Sequence, residues 1–445
     1  MIKPAPGAPI GRELRVSAER SAAAAAGNDV AVKDDWKGTI IAGLANYIDA
    51  GSIVAGSVAL ALWAQAYNLS NTFIGLIGAF SANAISAGVG ALIGGRLCDL
   101  FGRKKIYQYD MLFYAFGMLW LVFATAPWMI VVGFVLVGLA VGADIPASWS
   151  LIAEMAPDNR RGKHSGIAQV LWYLGPVVVL VLSLLLEPLG ILGARIVFAH
   201  LAVTAVLLTL LRSRMKESEV WEDANAKRLA QPETPRASIR DLFTPRYMKS
   251  MLFLVGMYGI WNLWAGTNGF FFPYILRTVG SETQAVSVAM QALGFFVAML
   301  SIGLVFMRYS DKVNQRLLFG LSALIQVVGM ALLAIFPLTT PVAMAYLVLV
   351  WFGAGFGAQS FFQLWSSELF PTLLRSTAQG LTFAIVRIFL GVWSFFVPLL
   401  TSTGFTTLAW ILTGFLVVSG LIGVIWAPRN EGKSLDQIQR EGAAG

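Results

Sequence analysis

The reading of the fold starts from Gly95-Arg96-Leu97-Cys98-Asp99-Leu100-Phe101-Gly102-Arg103-Lys104-Lys105. This is a short basic turn between two long apolar runs. Asp99 closes the first run, Gly102 permits a tight turn with positive φ, and three cations follow at once. The less specific alternative is a plain anchor on the cytoplasmic face. The rest of the chain repeats its logic and argues for more than an anchor.

The chain has 445 residues, 57% hydrophobic and 13% charged, with mean hydropathy +0.71. Soluble domains carry roughly 25% charged residues, so a soluble globular fold is excluded. A spanning helix needs roughly 20 apolar residues, and it pairs its backbone polar groups internally in lipid. A membrane β-barrel would show short alternating strands instead. The single Cys98 rules out an internal disulfide. His164 and His200 stand apart, with no Cys or acidic cluster beside them, so no metal site is expected. The formal charge of +8 would suit nucleic acid, but its distribution assigns it to topology, and no nucleic acid is expected as a partner.

Apolar runs fall at about 38–66, 73–94, 106–125, 127–153, 164–186 and 190–211, and again at 250–276, 282–307, 317–336, 341–367, 376–400 and 405–427. The expected fold is an all-α membrane protein, with twelve transmembrane helices in two pseudo-symmetric six-helix bundles. Residues 1–36 read as a disordered cytoplasmic tail without a cleavable signal pattern. Residues 37–211 form the first bundle, 212–248 a cytoplasmic linker, 249–427 the second bundle and 428–445 a cytoplasmic tail. Charge placement supports the count. With the N-terminus inside, alternate loops should be basic, and the segments 1–37, 95–105, 160–163, 212–249, 308–316, 375 and 429–440 hold 29 of the 32 Lys and Arg residues. The exceptions are Arg195, Arg277 and Arg387. A multi-pass plasma-membrane protein with both ends cytoplasmic is expected.

The two halves echo each other. Arg308-Tyr309-Ser310-Asp311-Lys312-Val313-Asn314-Gln315-Arg316 stands where a second copy of the opening stretch belongs, with Asn314 in place of the Gly. Glu154, Pro157 and Arg161 end helix four, and Glu368, Pro371 and Arg375 end helix ten. Both read E-x-x-P-x-x-x-R, at an offset of 214 residues, and Asp99 to Asp311 gives 212. Two motifs at nearly one offset indicate duplicated halves, as in transporters built of repeats.

The spacing G-R-x-x-D-x-x-G-R-K-K resembles the loop between helices two and three of the major facilitator superfamily. In that family the loop's Asp and Arg pin neighbouring helices on the cytoplasmic side. Further motifs are similar to its sugar-porter and metabolite–proton symporter group. Lys216-Glu217-Ser218-Glu219-Val220-Trp221 resembles P-E-S-P-R-W. The tail from Pro428 through Glu431, Lys433 and Ser434 to Ile438 resembles P-E-T-K-G-x-S-L-E-E-I. Arg161-Gly162, Gln169 and Gly175 match R-G-x6-Q-x5-G, whose Gln contacts sugar hydroxyls. Gly266-Thr267-Asn268 matches a G-x-N whose polar residues bind sugar. There are departures. The double Gln of helix seven is Asn262-Leu263, the sugar-stacking Trp of helix ten falls at Gln363 with Trp365 nearby, and the Arg that partners the first-helix Asp falls at Phe134. Gly142-Ala143-Asp144-Ile145-Pro146-Ala147-Ser148 is similar to the G-G-D-x-P-x-S of phosphate and metabolite symporters. Arg387 resembles the eleventh-helix Arg of organic-anion carriers.

Ionisable groups inside spanning helices cost at least ~2.5–3.5 kcal/mol near the centre, so each needs a reason. Asp49 and Asp144 are the proton-coupling candidates. A desolvated carboxyl holds its proton more tightly and can load it outside and release it inside; close together, the two would share one proton. The alternative is a structural acceptor. Arg387 could hold an anionic substrate, pair with one of those acids, or stabilise packing. Gln169, Asn262, Asn268, Gln359 and Gln363 offer both donors and acceptors and suit a polyhydroxylated ligand, or else join helices to one another. Trp365 is a candidate stacking residue. Asp99 with Arg103, Glu154 with Arg161, Glu368 with Arg375, and Asp311 and Arg316 are expected to form cytoplasmic salt-bridge clusters that gate alternating access. In helix two, Gly78, Ala82, Ser86, Gly90 and Gly94 form a small-residue stripe, read as packing surface.

The expected function is secondary active transport of a small solute, a proton-coupled uptake of a sugar or polyol. The alternative is a proton-coupled carrier of an organic anion or phosphate, and a remote one is a sensor that binds without moving solute. No Ser/His/Asp constellation and no G-x4-G-K-[ST] loop is present, so neither an enzyme nor an ATP-driven pump is expected. The partners expected are a small-molecule substrate, protons and the lipid bilayer, with the chain a monomer. No cofactor is expected beyond the proton gradient as energy source.

Overall fold

The computed structural model describes residues 35–157, 159–230, 238–280, 282–430, 433, 435, 437 and 438. Most of the N-terminal tail and much of the C-terminal tail read above lie outside the described residues.

Helix one runs Trp36–Ala66, helix two Asn71–Ala79 and Ile85–Phe101, helix three Arg103–Val122, helix four Pro127–Met155, helix five Arg161–Leu185 and helix six Ile191–Arg212. The linker holds a helix, Glu219–Ala230, and a 3-10 turn, Ile239–Phe243. Helix seven comprises Pro245–Leu254, a π turn Val255–Gly259 and Ile260–Thr278. Helix eight is Gln284–Ser301, extended by a π turn Ile302–Phe306 to Tyr309. Helix nine is Gln315–Ile335, helix ten Thr340–Gly355 with Ala358–Glu368, helix eleven Thr372–Thr403 and helix twelve Phe405–Trp426. Among the described residues, nine helices are long and apolar enough to cross a membrane. Helices two, three and seven complete the twelve: two is split at 80–84, three opens on Arg103-Lys104-Lys105 and carries Asp110, and seven is split by its π turn.

Local chemistry sets the boundaries. Asp35 caps helix one by accepting from the Gly38 N–H at 2.8 Å, and Ser70, Thr283 and Asn314 cap helices two, eight and nine. Each cap satisfies a donor that the helix start leaves unpaired. Asn314, which replaces the repeat's Gly, therefore has a task of its own. Gly102 joins helices two and three with no spacer, at φ 98°, a conformation that glycine adopts at little cost.

Within the first set, helix one packs on five and six, two on four, and three on four and six. Within the second, seven packs on eleven and twelve, eight on ten, and nine on ten and twelve. The sets meet along helix two against eleven and helix five against eight, with helix one against seven. These first two seams exchange under the repeat that maps two onto eight and five onto eleven. The seam of two and eleven is backbone-close: a Cβ on Gly95 would lie 2.3 Å from the Ser376 carbonyl oxygen, and one on Gly380 would lie 2.2 Å from that of Ala91. The stripe read on helix two is interrupted, since Ala82 falls in the break; Gly90 and Gly94 press on Leu139 and Ala143 of helix four, and Gly78 on Phe271. Outward faces carry large apolar side chains, Leu185 and Leu317 each 73% exposed, a surface that hydrocarbon accepts and water does not.

Candidate functional site

Three groups of side chains stand out, two where the two sets meet and one inside the first set.

The first surrounds a small central cavity of about 50 Å³. Its walls are aromatic, with Trp172 and Tyr173 from helix five, Trp261 and Trp264 from seven, Phe295 from eight and Trp351 from ten. Asn83, Asn262, Gln359 and Arg387 supply the polar lining. Arg387 is buried, and its guanidinium bonds Asn262 Oδ1 at 2.9 Å, the Asn83 carbonyl at 3.2 Å, Asn83 Oδ1 and the Tyr258 hydroxyl at 3.3 Å. It also lies 4.3 Å from the Phe383 ring. All these partners are neutral, and among the described residues it pairs with neither Asp49 nor Asp144. Tyr258 donates to Gln359 Oε1 at 2.6 Å, which leaves Gln359 Nε2 without an acceptor. Asn83 lies in the break of helix two, where non-helical backbone at membrane depth borders a cavity, as such backbone must. Nothing in Ser81-Ala82-Asn83-Ala84 signalled that break, because it holds neither Gly nor Pro.

Gln169 donates to Gln363 across the seam of helices five and ten, tying the sets together. Neither residue of that pair lines the cavity, and two further candidates are displaced from it. Asn268 accepts from the Tyr346 hydroxyl and donates to the Trp264 carbonyl at 2.9 Å, so its amide is spent inside the second set. Trp365 donates to Gln315 Oε1 at 2.6 Å and stacks on Phe361 at 4.6 Å. It is fully buried among aromatics near the basic end of the second set. The sequence places it beside Gln363, but on a helix neighbouring positions point to different sides.

The second group is acidic. Asp49, Asp110 and Asp144 are buried together. Asp144 and Asp110 approach one another at a common cation, and Asp49 lies beside them. Arg212 Nη1 donates to Asp144 Oδ1 at 2.7 Å and to the Tyr107 carbonyl at 2.9 Å, and reaches Asp110 Oδ1 at 3.4 Å. Its guanidinium stacks 3.5 Å from the Tyr107 ring. Two of these groups escaped the sequence reading. Asp110 is a lone acid in an apolar run, and the argument applied to Asp49 would have found it. Arg212 follows its apolar run and by sequence belongs to the linker, whereas the structure buries it at the last residue of helix six. Phe134 packs edge-on between Trp63 at 6.0 Å and Phe270 at 6.2 Å, so the cation of this cluster comes from helix six rather than four.

The third group stands at the basic end. Arg103 pairs with Asp99 at 3.1 Å and Glu154 at 3.0 Å, and Arg375 with Glu154 at 2.7 Å. Thr377 donates twice to Asp99 Oδ2, at 2.7 Å each, and Arg103 donates to the Thr372 carbonyl at 2.7 Å. Ser218 donates to Glu154, and Glu217 accepts from the Arg103 and Lys104 N–H groups at 3.0 and 3.1 Å. Arg161 pairs with Glu368 at 2.9 Å, which also accepts from Asn430 at 3.0 Å. The expected partnerships of Glu154 with Arg161 and Glu368 with Arg375 are thus corrected. Each Glu takes the Arg of the other half, because each motif ends its helix at the seam and its nearest cation lies across it. Asp311 and Arg316 form no ion pair with one another among the described residues. Asp311 accepts from the Gly162 and Lys163 N–H groups at 2.8 and 3.0 Å, and Arg316 donates to the Ala427 carbonyl. An anion at a helix start and a cation at a helix end both complement the helix dipole. Burial pushes the Asp311 carboxyl up, while the two N–H bonds and the nearby Arg161 draw it down.

The Major Facilitator Superfamily model matches residues 38–394, and the chain belongs to that family. It is a membrane transporter and not an enzyme. It is similar to the minor myo-inositol transporter IolF of Bacillus subtilis (strain 168), with 48% identity over 91% of this chain and 93% of that protein. It is also similar to the glucose transporter GlcP of Staphylococcus epidermidis (strain ATCC 12228 / FDA PCI 1200), 24% identical over 84% of this chain and 89% of that protein. The solved structure of the proton:xylose symporter XylE bound to 6-bromo-6-deoxy-D-glucose superposes with a TM-score of 0.75 at 18% identity, over 91% of this chain and 98% of that one. That likeness is one of fold.

Proposed function

We propose that the protein takes up a polyol or sugar, of the size and chemistry of myo-inositol, together with a proton by alternating access. The cavity carries the reading: indole and phenol faces suit the C–H faces of a ring, and amides beside them suit its hydroxyls. The relative at 48% identity, named for myo-inositol, supports the same class. Asp49 is the coupling acid, loaded when the cavity opens outward and emptied when it opens inward, and Asp144 acts with it. The crossed ion pairs of Asp99, Arg103, Glu154 and Arg375, and of Arg161 and Glu368, hold the basic end shut. They part when the two sets, 37–211 and 249–427, rock about the cavity. The basic end faces the cytoplasm, as do both termini, in the plasma membrane. The proton gradient is the energy source.

A second reading, an organic anion, is favoured by Arg387, whose partners are all neutral. Uptake into proteoliposomes under an imposed proton gradient separates the two. Labelled myo-inositol is expected to accumulate and carboxylates to compete poorly; the reverse order would replace the polyol with the anion.

A further inference from the structure

Helix three carries a carboxyl that none of these roles uses. Arg212 Nη1 reaches Asp110 at 3.4 Å and Asp144 at 2.7 Å, so two buried carboxyls share one guanidinium, with the buried Asp49 as a third acid beside them. Around them stand Tyr107, whose carbonyl accepts from Arg212; Tyr114, whose hydroxyl is committed to the Ile48 carbonyl at 2.7 Å; and the thiol of Cys98 from helix two. Among the described residues no second cation pairs with any of the three acids. Fully ionised, the cluster would carry two uncompensated charges in a dry interior, each costing several kcal/mol. Hydrogen bonding points the same way. Both oxygens of Asp49, Oδ2 of Asp110 and Oδ2 of Asp144 are buried without a donor, and facing carboxyls can be joined only by protons of their own. One proton between Asp49 and Asp144 and another between Asp110 and Asp144 remove the excess charge and give the facing oxygens their donors. Arg212 holds Asp144 as the fixed anion.

The two outer carboxyls differ in depth. Asp110 lies seven residues, about 10 Å, from the start of helix three, whereas Asp49 lies thirteen residues, about 20 Å, from the start of helix one. The Asp110 side chain is 3% exposed and Asp49 is closed off entirely. We propose that Asp110 is a second proton-carrying residue, the one that hands the proton to the basic end, with Asp144 the relay between it and Asp49. In a turnover the Asp110 O–H breaks toward water at that end, the Asp49 proton passes through Asp144 to Asp110, and Asp49 is refilled beside the cavity. Each electron pair stays on its carboxylate oxygen, and one proton enters for each that leaves. This rests on the proton-coupled reading above.

Infrared spectra of the full chain in detergent test it without transport. At neutral pH the carbonyl stretch of two protonated carboxyls is expected, one lost in Asp110→Asn and the other in Asp49→Asn. A spectrum unchanged by Asp110→Asn overturns the proposal. In proteoliposomes, Asp110→Asn is expected to slow proton-driven uptake of myo-inositol about 100-fold relative to its counterflow, and Asp110→Glu to restore part of that loss. Equal loss of both rates, or of neither, also overturns it. A wild-type chain that moves myo-inositol with no proton at all would defeat the coupled reading instead, and the infrared result would still decide whether Asp110 holds a proton.

Discussion

At the scale of single residues, a buried charge is worth what its partner makes it. Arg212 and Asp144 illustrate this: removing one member of a buried pair costs about 3–5 kcal/mol, because the other is stranded. Arg212→Gln is therefore expected to lower the thermal midpoint of the detergent-solubilised protein sharply, and Arg212→Gln with Asp144→Asn to recover much of the loss; an additive double variant would argue that the two do not interact. Asp49 calls for a different expectation, since no donor faces it. Asp49→Asn should fold, keep counterflow and lose accumulation against a gradient, as read by labelled solute in proteoliposomes. Gln169→Ala removes an interhelical amide bond worth about 0.6 kcal/mol, at most about 1.7, so its larger effect is expected in a raised KM for uptake. Among these residues the chain announced Asp49 and Asp144 through their rarity. It did not announce Asn268 or Trp365 as packing residues, because a motif match fixes a position along a helix and not the direction in which the side chain is spent.

At the scale of elements, helix two is the informative one. Its lower segment runs so close to helix eleven that carbonyl oxygens fill the space where Gly95 and Gly380 lack a Cβ. Gly95→Val is expected to force the seam apart and reduce uptake by more than tenfold, while Gly303→Ala, whose added Cβ meets nothing within 4 Å, should leave it near wild type. Helix count and order were readable from apolar run length and alternating charge, both global constraints of a bilayer. The break at 80–84 was not, since its residues carry no breaker; Arg387 from helix eleven binds Asn83 there. The end of helix six was misplaced for a related reason: an arginine at a run's edge reads as loop until a carboxylate inside claims it.

At the scale of the whole molecule, the proposed gate at the basic end consists of a few crossed contacts. Glu154 gathers Arg103, Arg375 and Ser218, so Glu154→Gln is expected to leave two guanidiniums short of charge and to favour opening at that end. Cysteine labelling from the side of residues 95–105 should rise at the cavity, and unchanged labelling would deny these pairs a gating role. The sequence repeat was legible as duplication, but which copy's Arg meets which copy's Glu was not, because a repeat specifies equivalence and says nothing about partnership.

That partnership has an ancestry written into it. Glu154 corresponds to Glu368 and Arg161 to Arg375, yet Glu154 meets Arg375 while Glu368 meets Arg161. Contacts of this kind, where i touches j and j touches i, are those of an isologous two-fold interface. A forebear half as long, paired with its own twin, would already have possessed this lock, and fusing the twins into one polypeptide let each side then drift toward its separate task.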